Sequence, residues 1–85
     1  MVIVRPQHLE YDILLVKQTP NKYIAMLMQC THRDVALNAN SSSLFCTAHG
    51  SKFDLQGNVI EGPATEALKQ YRVMTKEDKI IIQLN

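Results

Sequence analysis

Two short motifs in this chain combine residue types that bind metals, Cys30-Thr31-His32 and Cys46-Thr47-Ala48-His49. They use both cysteines and two of the three histidines. A zinc finger that holds one ion usually groups its cysteines in one arm and its histidines in the other. Here each motif pairs one sulfur with one imidazole. This mixture favours a centre with two metal ions. If both motifs straddle such a centre, the two thiolates can meet on one ion and the two imidazoles on the other.

A small secreted domain often joins two cysteines in a disulfide, but the histidine two or three positions after each cysteine argues against one here. Two other interpretations of these residues remain open. The four side chains are also suitable for a structural zinc site. The cysteines could instead form a buried pair with unrelated histidines nearby. The third histidine, His8, has no partner in sequence, and we expect it in a solvated loop.

Length and composition exclude several classes of function. The chain has 85 residues, which indicates a single domain. Its net charge is +1, with 9 basic and 8 acidic residues and no charge run, so we expect no nucleic-acid partner. The longest apolar runs, 13–16, 24–28 and 80–82, are too short to span a membrane. The N-terminus does not resemble a signal peptide, so we expect any membrane attachment only through a segment absent from this sequence.

Short segments rich in Val, Ile, Tyr and Phe predict that the chain is all-β, folded as a small antiparallel sandwich or barrel. The predicted strands are 2–4, 11–17, 23–29, 44–46, 58–60, 71–74 and 79–84. Residues 19–22 and 56–58 predict turns, and 38–43 predict a polar loop. Residues 65–71 are the one helical candidate, but they are too few for a stable helix, so we interpret them as extended or as one turn. Met26, Met28 and Met74 lie in predicted strands, and we expect them in the core.

The two motifs resemble the Cys-x-His and Cys-x-x-His motifs of the Rieske family of iron-sulfur proteins. The likeness covers about residues 23–84 and extends beyond the motifs. It continues through Gly50-Ser51-Lys52-Phe53-Asp54, Gly57-Asn58-Val59 and Gly62-Pro63-Ala64 to Leu68 and Tyr71, an order similar to the second cluster loop and the Gly-Pro loop of the family. The resemblance implies a 2Fe-2S cluster bound by Cys30, His32, Cys46 and His49, with Ser51 close to it.

The resemblance also implies how the domain is organised. We expect a β-base formed from residues 1–29 and 65–85, carrying an inserted cluster-binding subdomain of about residues 30–64. The histidine edge of the cluster should be exposed, as the route for the electron and the docking site for a partner. Because neutral imidazoles replace two thiolates, the potential should be roughly −150 to +300 mV, above that of all-thiolate ferredoxins.

Four positions depart from the family pattern, Val35, Ala48, Phe53 and Arg33, whereas Ser51 keeps it. Rieske subunits similar to those of cytochrome bc complexes carry two further cysteines that form a disulfide, and Val35 and Ala48 stand in their places. Ser51 keeps a hydrogen-bond donor near sulfur, whereas Phe53 replaces a tyrosine that donates a second bond. One donor kept and one lost predict an intermediate potential. Arg33 stands where an apolar residue often shields the cluster.

No nucleophile, base or substrate pocket follows from the remaining residues, so we expect a one-electron carrier that is not an enzyme alone but a component of an oxidoreductase system. The first hypothesis is a ferredoxin-like carrier, cytoplasmic, whose partners are redox proteins: a reductase, an oxygenase or a cytochrome. The second is the soluble domain of the Rieske subunit of a quinol-oxidising membrane complex, on the periplasmic face, with quinol as a further partner. A zinc-binding module is the third.

Overall fold

Residues 1–84, which the computed structural model describes, contain nine strands and no helix. Residue 85, the end of the predicted base, lies outside this described part. The strands are β1 Val2–Val4, β2 Ile13–Thr19, β3 Lys22–Leu27, β4 Asn38–Ala39, β5 Leu44–Phe45, β6 Lys52–Phe53, β7 Val59–Glu61, β8 Gln70–Lys76 and β9 Lys79–Gln83. The all-β prediction is confirmed, and residues 65–69 are extended as expected. Within residues 1–84 there is no helix long and apolar enough to cross a membrane.

The larger of the two sheets has five antiparallel strands in the order β1-β2-β3-β8-β9. In β2, which pairs with β1 on one side and β3 on the other, all four residues from Ile13 to Val16 are buried. Side chains alternate between the faces of a strand, so a strand buried on both faces reads as an unbroken apolar run. The β2–β3 hairpin turns with Thr19 opposite Lys22, which confirms the predicted turn at 19–22.

The smaller sheet has four antiparallel strands in the order β4-β5-β6-β7. The prediction of a polar loop over 38–43 was wrong at its start, because Asn38–Ala39 form β4 and pair with β5. Lys52–Phe53 form β6, which the sequence did not predict as a strand. Strands of two residues are too short to show an alternating pattern, and cross-strand pairing defines them.

Side chains from both sheets form one apolar core, and the two cysteines belong to it. Its buried members are Leu14, Val16, Met26, Met28, Cys30, Leu37, Leu44, Cys46, Phe53, Ala64 and Leu68. A second cluster lies on the other face of the larger sheet, around Ile13, Leu15 and Ala25. The cluster-binding candidates therefore sit where the two sheets meet.

The prediction that Met74 lies in the core was wrong, whereas Met26 and Met28 are buried as expected. Met74 is 43% exposed because the pairing of β8 with β3 is confined to Gln70 and Tyr71. The rest of β8 pairs with β9, so this hairpin extends beyond the centre of the sheet.

The turn between β6 and β7 attaches the smaller sheet to the larger one. Gly57, at the predicted hairpin tip, is buried and has φ +85°. Its carbonyl accepts a hydrogen bond from the Leu68 N–H at 2.9 Å, and the Gln56 carbonyl accepts one from Gln70 Nε2 at 2.8 Å. The approach is close, because a Cβ at Gly57 would lie 3.2 Å from Met26 Sδ. Only glycine combines this backbone conformation with this contact at little cost.

Candidate metal centre

Each cysteine lies just after a strand and begins a loop that closes on itself. The Cys30 N–H donates to the Val35 carbonyl at 2.9 Å, which closes the loop of residues 30–35. Cys46 follows β5, and its N–H donates to the Ser51 carbonyl at 2.8 Å. These two bonds fix the first and second cluster loops, 30–35 and 46–51. Each histidine therefore lies inside a closed loop, two or three residues beyond a cysteine that the core holds in place.

The two cysteine thiols are free and buried side by side, with exposures of 1% for Cys30 and 2% for Cys46. Burial raises the pKa of the Cys30 thiol. Hydrogen bonds from the backbone N–H groups of Arg33 and His32, and from the side chains of Cys46 and Ser51, outweigh burial and lower that pKa below its ordinary value. These hydrogen bonds thus favour the thiolate of Cys30, the form that binds metals.

The two imidazoles form a second pair at the surface. The ring centroids of His32 and His49 are 5.3 Å apart, with the rings inclined at 83°, and both residues are exposed. The cysteines are in the core, so the four donors form two layers. The sulfur pair lies inside, and the nitrogen pair faces solvent.

This pairing can be compared with the two kinds of metal group that suit Cys and His ligands. A single zinc ion needs four donors arranged around one point. A Rieske cluster needs two thiolates on one iron and two imidazoles on the other. Within residues 1–84, no three His, Cys, Asp or Glu side chains gather around a single ion position. The like-with-like pairs of cysteines and histidines fit the binuclear group.

Ser51 lies between the second loop and the Gly-Pro loop, and it is fully buried. Its Oγ accepts a hydrogen bond from the Ala64 N–H at 3.1 Å. Since the oxygen acts as acceptor there, the hydroxyl proton remains available for the Cys30 sulfur, with which Ser51 forms a side-chain hydrogen bond. Phe53 is also fully buried, and its ring has no donor to offer.

The Gly-Pro loop, residues 62–64, lies next to the second cluster loop. Gly62 and Pro63 are exposed and joined by a cis peptide bond, whereas Ala64 is buried. Because the Ala64 N–H binds Ser51, this loop is tied to the second cluster loop. The two donor pairs are thus bordered by three loops that are separate in sequence.

Several residues that hold the first loop were not found by sequence reasoning. The Tyr11 hydroxyl donates to the Asp34 carbonyl at 2.9 Å, and Gln29 Nε2 donates to Asp34 Oδ1 at 2.7 Å. Thr31 Oγ1 donates to the Glu66 carbonyl at 2.6 Å. The position of Thr31 inside the Cys-x-His motif is a signal that could have been used. Tyr11 gives no local signal, because its partner is 23 residues away.

The other residues singled out from the sequence occupy varied environments. Val35 is half-buried against the main core, and Ala48 is exposed in the second loop. Arg33 is exposed beside His32. His8 is exposed in the turn between β1 and β2, apart from the donor pairs, as expected.

Sequence comparisons show which known proteins this chain is similar to. The chain is 34% identical over 73 residues to the cytochrome b6-f complex iron-sulfur subunit of Chlorobaculum thiosulfatiphilum, covering 84% of this chain and 40% of that protein. It is 38% identical over 55 residues to cytochrome b6-f complex iron-sulfur subunit 1 of Nostoc sp. PCC 7120, covering 62% of this chain and 31% of that protein. The chain therefore spans less than half the length of these relatives.

A solved structure shows the same fold. The crystal structure of the cyanobacterial plasma membrane Rieske protein PetC3 from Synechocystis PCC 6803 superposes with a TM-score of 0.76 at 23% identity, covering 87% of this chain and 78% of that chain. The family model described as Rieske [2Fe-2S] domain matches residues 3–72. With most of its length matched, the chain belongs to the Rieske [2Fe-2S] domain family.

Proposed function

We propose that this domain carries single electrons through a 2Fe-2S cluster, with Cys30 and Cys46 on one iron and His32 and His49 on the other. Family membership indicates the cluster. The observation that carries the assignment of ligands is the layering of the donors, a buried thiol pair below an exposed imidazole pair 5.3 Å apart. When bound, the cluster supplies a one-electron change of oxidation state.

The cysteine layer and the histidine layer have different roles in electron transfer. Cys30 and Cys46 anchor the site in the core, where backbone N–H groups and Ser51 compensate negative charge on the Cys30 sulfur. His32 and His49 reach solvent and form the edge through which an electron enters and leaves. Transfer needs little rearrangement, since both loops are closed by backbone hydrogen bonds.

The arrangement of the sheets supports the proposed division of the domain. Residues 38–61 form the smaller sheet, and strands from both ends of the described chain form the larger one. We assign residues 30–64 to a cluster-binding subdomain and residues 1–29 and 65–85 to the β-base, within one domain.

The partner defines two candidate functions. The first candidate is the ferredoxin-like carrier, which takes electrons from a reductase and passes them to an oxygenase or a cytochrome. It is supported by Val35 and Ala48, which exclude the disulfide of bc-type subunits. The second candidate is the Rieske subunit of a quinol-oxidising complex. It is supported by the relatives, which are named as cytochrome b6-f complex iron-sulfur subunits.

Metal analysis of the purified protein tests the proposal. We expect about two irons and two acid-labile sulfides per chain, with a red-brown colour. Cys30→Ser and Cys46→Ser should lose the cluster, whereas His49→Cys should keep a cluster of lower potential. His8→Ala is the matched control, because it removes an exposed histidine outside the site and should leave the iron content unchanged. Zinc at about one per chain without iron would refute the proposal.

Purification from the native cell distinguishes the two candidates. The gene would be tagged in the genome and the protein recovered from membranes solubilised in mild detergent. A b-type cytochrome that co-purifies in fixed proportion would support the complex subunit. Recovery from the soluble fraction without haem would support the carrier.

A further inference from the structure

Three segments border the two donor pairs, residues 30–35, 46–51 and 62–64, and we call them the rim. Arg33 is the single cation of the rim. Apart from the histidines, the charged residues in these segments are Arg33 and Asp34. The loop around His49 and the Gly-Pro loop are uncharged. A partner that approaches the imidazole pair therefore meets one guanidinium and, next to it in sequence, one carboxylate, on rim segments that otherwise carry no charge.

The carboxylate next to Arg33 in sequence is engaged elsewhere. Asp34 Oδ1 accepts a hydrogen bond from Gln29 Nε2 at 2.7 Å, which directs this carboxylate toward the end of β3. The ion pairs within residues 1–84 are Arg5 with Asp12 and Lys52 with Glu61, and Arg33 takes part in neither. The guanidinium is thus available to a partner.

The backbone of Arg33 is held in place, although its side chain is exposed. Its N–H is directed at the Cys30 sulfur, and its carbonyl accepts the Val35 N–H at 2.8 Å. On either side, Thr31 is bonded to Glu66 and Asp34 to Tyr11. A cation on a fixed backbone beside His32 can impose an orientation on whatever binds there.

We propose that Arg33 selects the redox partner by binding a carboxylate on an acidic protein surface, which places that surface against the exposed imidazole edge. This inference rests on the proposed function, since it names the chemistry of the partner at the same site. A guanidinium binds a carboxylate through two parallel hydrogen bonds, which fixes orientation as well as affinity. Complementary charge acts mainly on association rate and on the choice of partner.

Small redox probes of opposite charge test this without a known partner. The holoprotein, reduced with dithionite and desalted, would be mixed in a stopped flow with ferricyanide, a trianion, or with tris(1,10-phenanthroline)cobalt(III), a trication. In each reaction one electron leaves the domain and reduces iron(III) to iron(II), or cobalt(III) to cobalt(II). The measured quantity is the ratio of the two second-order rate constants.

Arg33→Gln removes one positive charge at the edge. At a separation of about 10 Å and an ionic strength of about 10 mM, this change should slow ferricyanide about fivefold and speed the cobalt complex by a similar factor. The ratio should fall about 20-fold. A change in the driving force alters both rates in the same direction and largely cancels in the ratio. Arg33→Lys retains the charge and should keep most of the preference.

Lys76→Gln is the matched control. It removes the same charge from β8, at a position six residues after Gln70. Gln70 pairs with Met26, so Lys76 lies about 20 Å along the strand from that pair. By the same reasoning, the ratio for this variant should fall only about threefold. Poly-L-glutamate, at constant ionic strength, should slow the ferricyanide reaction of the wild type more than that of Arg33→Gln.

The outcomes separate this inference from the function on which it rests. A 20-fold fall in the ratio for Arg33→Gln alone supports the role of Arg33. Equal ratios in the wild type and both glutamine variants, in protein that contains iron and reacts with both probes, would overturn it. Protein without iron that reacts with neither probe would overturn the proposed function, and this inference with it.

Discussion

Replacing Ser51 with alanine should lower the reduction potential of the cluster. Ser51 is fully buried, its Oγ accepts the Ala64 N–H at 3.1 Å, and its hydroxyl is bonded to the Cys30 sulfur. The reduced cluster carries one more negative charge than the oxidised one, so a donor at sulfur stabilises the reduced state more. Removing the donor should therefore make reduction less favourable.

The magnitude follows from the difference in strength of one hydrogen bond between the two oxidation states. Bonds to charged groups contribute about 1.5–3 kcal/mol, so a difference of about 1.4 kcal/mol is reasonable. For a one-electron couple this corresponds to a fall of roughly 60 mV. Alanine also leaves the buried Ala64 N–H without its acceptor, which should cost about 1–3 kcal/mol of unfolding free energy.

Voltammetry and denaturant unfolding measure the two effects separately. Ser42→Ala is the control, because Ser42 is an exposed serine in the turn between β4 and β5, bonded to Asn40. It should change neither the potential nor the stability appreciably. If Ser51→Ala keeps the wild-type potential while its iron content is unchanged, Ser51 is only a structural residue of the turn and the reasoning fails.

Two further predictions concern stability. Gly57→Ala should destabilise the domain more than Gly50→Ala: both glycines have positive φ, +85° and +82°, but a Cβ at Gly57 would lie 3.2 Å from Met26 Sδ, whereas a Cβ at Gly50 has no neighbour within 4 Å. In urea unfolding, Gly50→Ala should lower the free energy of unfolding by about 1–2 kcal/mol, from backbone strain alone, and Gly57→Ala should lower it further. Equal losses in the two variants would show that the contact with Met26 is unimportant. Burial raises the pKa of Tyr11, and the negative charges of Glu10 and Asp34 raise it further. The unfolded chain therefore loses this proton first, and stability should fall as the pH rises above about 10, more steeply in the wild type than in Tyr11→Phe; parallel pH profiles would contradict this.

The features that sequence predicted well are local. The turn at 19–22 and the long strands of the larger sheet follow from residue type and from apolar runs. The donor set rests on two motifs that are each a few residues long, and it stays a prediction. The resemblance to a known family then supplied the cofactor and the exposed histidine edge, which spacing alone does not give.

The features that sequence did not predict depend on contacts between distant segments. β6 is defined by pairing with its neighbours. Met74 is exposed because β8 continues beyond the two residues that pair with β3. Thr31 is bonded to a carbonyl 35 residues away. No window of sequence contains both partners of such a contact, so no periodicity or turn preference can reveal it.

The central claim is that His32 and His49 bind one iron of the cluster, and pulsed electron paramagnetic resonance tests it most directly. The reduced protein would be prepared with ¹⁵N-labelled histidine. The account predicts strong couplings from two imidazole nitrogens, with one lost in His32→Cys, one lost in His49→Cys, and both kept in His8→Ala. A reduced iron-sulfur signal without any coupling to histidine nitrogen would contradict the account.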